Sequence, residues 1–181
     1  MNKALIDILE STEVQDTLKA AKAYCDLISF IKENEIEQED LIDKLHQTLT
    51  ELYQKAILLP KIDLVINEEP EEIKRENESP IIASRLENIL NGYTEYAEAH
   101  DPTILGKDEN YLQGWLTDDL IDIYHDLKEI LLKIDFEEDS NLQDALWDLK
   151  FGLGTHWGNH LVDALRYLHY VRYGHLARHM I

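Results

Sequence analysis

A single cysteine among 181 residues, Cys25, excludes an internal disulfide and any zinc site built from several thiolates. Four prolines and seven glycines leave few breaks in the chain. None of the glycine patterns that cradle phosphates or present a nucleophilic serine occurs. No apolar run approaches the ~20 residues of a membrane-spanning helix. The opening Met1–Asp7 turns acidic too early for a signal peptide, so a cytoplasmic protein is expected. Basic residues are scarce, with 17 Lys+Arg against 37 Asp+Glu and a net charge of −20. Counterion release from nucleic acid and attraction to anionic lipid both need Lys and Arg, so neither is expected as a partner. Mimicry of a nucleic acid has only the charge behind it, and a solvated surface accounts for that charge equally well.

What is present is 44% hydrophobic residues at helical spacing. Val14, Leu18, Ala21, Cys25, Ile28 and Ile31 recur at three and four, which predicts a helix over about 13–34. Leu41, Leu45, Leu49, Leu52, Ala56 and Leu59 predict a second, stopped by Pro60. Residues 61–78 read as an acidic linker with little to bury. Ser79-Pro80 opens a third helix, which Asn91-Gly92 ends. Residues 92–114, rich in Tyr and Asp, read as a long irregular loop before the fourth helix. That fourth helix starts at Thr117-Asp118-Asp119. A last apolar stripe from Leu142 to Val171 keeps its phase through Gly152 and Gly154, which predicts one long helix kinked at the glycines. The expectation is a single all-α domain over 1–181, a helical bundle of about five to six helices. Cys25 lies on an apolar face, which makes it a buried thiol rather than a nucleophile.

Chemistry concentrates near the C-terminus. On a helix, His156, His160, Asp163, Tyr167 and Tyr170 fall within about 40° of one line. Imidazoles at i and i+4 stand one above the other and can reach one metal ion. The facing partner is the Asp-rich fourth helix, where Asp122 and His125 stand at i, i+3 near Asp126. Aspartate is a poor interior helix former, so Asp122 and Asp126 are costly if they serve solubility alone. The candidate ligands of a divalent metal are therefore His156, His160, Asp122 and His125, with Asp163 and Asp126 behind them. A solvated acidic face and histidines bonded across a seam are the competing reading.

The segments Leu116–Lys128 and Thr155–Leu165, with Ala23-Tyr24-Cys25 and the helix end Leu52–Pro60, resemble a family of uncharacterised bacterial proteins, domain of unknown function 5063. The resemblance covers essentially the whole chain. It implies an all-helical cytoplasmic protein of about this size, and it carries no activity, cofactor or catalytic residue.

The leading expectation is an interaction or regulatory module, with a protein partner or a second copy of the chain docking on a basic, His-rich C-terminal helix. A metal-dependent helical-bundle hydrolase using Asp122, His125, His156 and His160 is the alternative. A third reading is an all-α nucleotide pyrophosphohydrolase, whose Mg²⁺ site would draw on Asp119/Asp122 and Asp144/Asp148.

Overall fold

Apolar residues three and four apart give each long helix one face that must be covered, and the helices cover one another. The computed structural model describes residues 2–63, 78–98, 112–136 and 138–178. Among them are seven helices and one strand pair: α1 Lys3–Leu9, α2 Thr12–Glu33, α3 Gln38–Ala56, α4 Ser79–Ile89, β1 Glu95–Glu98, β2 Leu112–Trp115, α5 Leu116–Asp135, α6 Asp139–Thr155 and α7 Trp157–Arg178. Four of them close a ring, α2 on α3, α3 on α7, α7 on α5 and α5 on α2. Their apolar faces meet inside it, where Ile28, Leu45, Leu120 and Leu161 have no exposed surface. Outside the ring α4 lies on α2 and α5, and α6 on α5 and α7. No described helix is long and apolar enough to cross a membrane.

Several details differ from the expectations. The helix count rises to seven because α1 is too short to show a period and because the last helical region divides. The division falls at His156 (φ −139°, ψ −91°), not at Gly152 or Gly154. Trp157, fully buried directly after it, drives its indole against Gly152, where a Cβ would stand 2.5 Å from the ring. The apolar phase survives because α6 and α7 both rest on α5, so the stripe does not betray the elbow. Finally, the ends of the 92–114 stretch are not irregular. Glu95–Glu98 and Leu112–Trp115 pair antiparallel with Tyr96 opposite Gly114. Residues 99–111 and 64–77 lie outside the described part, so most of the acidic linker and the middle of the loop do too.

The second helix ends at Ala56 rather than at Pro60. Leu58 and Leu59 donate to the carbonyls of Lys55 and Ala56, which tightens the last turn and swings Leu59 into the core. Gly92 takes a positive φ of 87° after α4, which terminates that helix as its sequence implies. Cys25 is buried, which pushes its thiol up to about 12 and leaves it unreactive.

Glu78, at the end of the stretch read as a solvated linker, is instead held by two ammonium groups. Its carboxylate accepts from Lys32 Nζ and Lys128 Nζ, each at 2.9 Å, and from Tyr124 Oη at 3.1 Å. Hydrogen bonds from Lys32 and then Lys128 lower its pKa from the ordinary 4.5 to about 2. A depressed carboxylate stabilises the fold fully above pH 4.5, and that stability is lost as pH falls through about 2. Glu78→Gln is therefore expected to cost about 2 kcal/mol at pH 7. Urea melts at stepped pH should show wild type and variant converging between pH 4.5 and 2.

Candidate metal centre

Helix α5 places aspartates at 119, 122 and 126, intervals of three and four that keep all three on one side. Because α7 packs on α5, that side meets the elbow that carries His156 and the first turn of α7 that carries His160. His156 Nδ1 lies 2.7 Å from Asp126 Oδ2, and His160 Nδ1 lies 2.8 Å from Asp119 Oδ1. An ionised carboxylate only accepts, so each Nδ1 carries a proton, and in the neutral ring Nε2 is the nitrogen that keeps a lone pair. The His160 lone pair looks toward Asp122, whose Oδ2 is 3.5 Å from Nε2. The two rings meet edge to face with centroids 4.9 Å apart.

One donor atom from each of Asp122, His156 and His160 lies within 4.8 Å of the other two. Around an ion with bonds of ~2.0–2.2 Å such atoms stand ~3.3 Å apart, a difference that small side-chain rotations close. The three side chains are partly open to solvent, at 42%, 54% and 30% exposure. Their supports are less so, with Asp119 at 9%. Asp119 is held in turn, because Tyr96 of β1 donates its hydroxyl to Oδ2. Tyr96 stacks on Tyr167 of α7 at 5.0 Å and lies across Gly114, where a Cβ would come 2.5 Å from its ring. The strand pair thus pins a chain of bonds running Tyr96–Asp119–His160.

Charge in this corner is tuned by contact. The Asp119 hydrogen bond, working against burial, holds His160 above the ordinary imidazole range. Burial, then Asp122 and Asp119, raise Asp118. Burial and Glu98 raise Asp163, whose carboxylate lies 3.5 Å from the Arg166 guanidinium.

The structure brings together Asp122, Asp126, His156 and His160 of the residues singled out in the sequence. His125 is elsewhere, with Nε2 2.7 Å from Ser79 Oγ on α4. The reason is angular. From Asp122, position 125 lies about 60° round one way, toward α4, while 119 and 126 lie about 60° and 40° round the other way, toward α7. Asp163 pairs with Arg166 of its own helix, and the carboxylates bonded to the two histidines are Asp126 and Asp119. Asp119, expected only in the Mg²⁺ alternative, and Tyr96 are the additions to the histidine site. The former reads in the sequence as a first-turn acid, and nothing local marks the latter. Asp144 and Asp148, the second acidic pair, grip Lys133 Nζ at 2.6 and 2.7 Å together with Glu129 at 2.9 Å.

No curated protein matches the chain in sequence. Its fold is similar to the crystal structure of protein BF1032 from Bacteroides fragilis, with a TM-score of 0.75 and 24% identity, over 92% of this chain and 96% of that one. At that identity the likeness is one of fold. In sequence, residues 9–174 match a family described as a domain of unknown function, DUF5063, and the chain belongs to that family.

Proposed function

We propose that the chain binds one divalent transition-metal ion through Asp122, His156 and His160 and serves as a metal-dependent hydrolase. The observation that carries this reading is that both imidazoles spend Nδ1 on a buttressing aspartate while one donor atom of each lies within 4.8 Å of the other and of an Asp122 carboxylate oxygen. Metal-ligating histidines are oriented in this way, by a carboxylate on the far nitrogen. Surface histidines that merely fill a seam have no need of two such partners. Two imidazoles and one carboxylate leave coordination positions open, where an ion lowers the pKa of bound water and polarises an oxygen of the substrate. Asp119 and Asp126 hold the tautomer, and Tyr96 holds Asp119. A docking or regulatory role has no comparable arrangement behind it. The pyrophosphohydrolase reading loses Asp144 and Asp148 to Lys133.

The test is elemental analysis of untagged protein prepared without chelator, followed by titration of the stripped protein with Co²⁺, Mn²⁺ and Zn²⁺. Near one equivalent of metal per chain and a visible Co²⁺ spectrum of low-coordinate nitrogen and oxygen ligation are expected. No retained metal and no saturable uptake at micromolar concentration would sink the metal centre. Tight uptake without chelator-sensitive turnover of activated esters or amides would sink the hydrolytic half and leave a metal-binding protein.

A further inference from the structure

Where β1 runs alongside α7 lies an open cleft of about 420 Å³, lined by Tyr96, Ala97, Arg166, Tyr167 and Tyr170. That volume falls within the ~300–1,000 Å³ of small-molecule sites. Flat groups dominate the lining, with three tyrosine rings and one guanidinium and no acid among them. Arg166, Tyr167 and Tyr170 come to one side of α7 because steps of three and four residues return to it. Tyr96 and Tyr167 stack at 5.0 Å with planes 23° apart, which fixes both rings. Tyr170, one turn further on, is 66% exposed and offers its ring to solvent.

Arg166 is held loosely. Its Nη2 donates to the carbonyl of Ala97 at 3.4 Å and stands 3.5 Å from Asp163, both longer than a good hydrogen bond. Its charge does not offset burial and Glu98, which hold Asp163 above the ordinary carboxylate range. A planar fork of donors is therefore poised beside aromatic faces, the surface on which a flat ring stacks.

Charge narrows the occupant. A cation would meet the guanidinium in the lining. A phosphate or carboxylate would approach past Glu95, Glu98 and Asp163, in the field of a chain with net charge −20. What suits the cleft is a neutral ring with two acceptors side by side, because the fork donates along parallel directions. The O6/N7 edge of an oxopurine has that pattern, whereas adenine replaces one acceptor with an amino donor.

We infer that this cleft binds a neutral purine base, its O6/N7 edge on Arg166 and its face on Tyr170. Neither a metal ion nor hydrolysis is needed, so the site stands apart from the reading above.

Inosine, adenosine and inosine monophosphate are the probes, added to the full chain and followed through tyrosine and guanidinium resonances. Inosine is expected to saturate and to bind about tenfold more tightly than adenosine. The monophosphate should bind no more tightly than inosine. Arg166→Lys keeps the charge without the fork and should erase the preference over adenosine. Tyr170→Ala should weaken inosine about tenfold. Both side chains are exposed, so unchanged thermal melts are expected to show that the variants fold. His156→Ala/His160→Ala should bind inosine as wild type does, whether or not wild type takes up metal. Loss of binding there would move the base to the metal centre and overturn the cleft. So would a folded wild type without saturable binding, equal affinities for inosine and adenosine, or a tighter monophosphate. An undiminished preference in Arg166→Lys, or undiminished affinity in Tyr170→Ala, would overturn it too.

Discussion

Replacing His160 with alanine is expected to weaken metal binding by roughly 10²–10³-fold. The magnitude follows from four-ligand sites worth ~10–16 kcal/mol, about 2.5–4 kcal/mol for each ligand. His160 is the ligand to remove because its loss does two things. It deletes one donor, and it leaves Asp119, at 9% exposure, without the imidazole that it supports. Because the imidazole is itself partly exposed, the fold should survive the change. Tyr96→Phe provides the graded comparison. It keeps the stack on Tyr167 and removes only the hydroxyl that bonds Asp119, so roughly 10-fold is expected, at the low end for a residue that supports a ligand from behind. Competition titration against a chromophoric chelator reads both on one scale. Equal affinities in wild type and His160→Ala would remove His160 from the site.

The largest effect on stability is expected from Gly158→Ala. A Cβ built on Gly158 would stand 1.9 Å from the carbonyl oxygen of Leu153 and 2.6 Å from its carbon. The obstacle is backbone, so no rotamer change relieves it, and α7 must shift on α6. Overpacking of this kind costs about 3 kcal/mol. For a chain of this size that lowers the melting temperature by roughly 6–12 °C. Gly154→Ala is the control. Nothing lies within 4 Å of its Cβ, and it sits in the last turns of α6. There the alanine should be neutral or stabilise by up to ~1 kcal/mol, because glycine weakens a helix interior. Scanning calorimetry of the two variants should therefore move the midpoint in different directions.

The long helices could be read from sequence because each buries one stripe, and burial leaves a period. The antiparallel pair could not, since four-residue strands leave no measurable alternation and Tyr96 gains its meaning only from Gly114, eighteen positions later. The elbow at His156 was hidden for a related reason. Helices on both sides of it use the same surface of α5, so the apolar phase runs through a break in the backbone. For the centre, spacing was enough to pair the Asp-rich helix with the two histidines. It was not enough to orient α5, because 60° decides whether a residue next to Asp122 meets α7 or α4. His125 falls on the α4 side and Asp119 on the other. A charge run conceals such a difference, since every position in it looks equally polar.

The packing at the elbow also bears on how this chain can change over generations. Trp157 occupies the room that a side chain at 152 would need, and Gly158 lies against the carbonyl of Leu153. A single replacement at 152 or 158 is therefore penalised. A tolerated change at 152 calls for a smaller residue at 157 in the same step, and the smaller residue alone would leave a hole in the core. Exposed acids such as Glu39 or Glu51 can be exchanged one at a time with little consequence. Mutational drift should thus run quickly over the acidic surface and nearly stop at the packed positions of the elbow, 152, 157 and 158. His156 lies between those positions and His160 just beyond them, so their spacing and aim are inherited along with the packing.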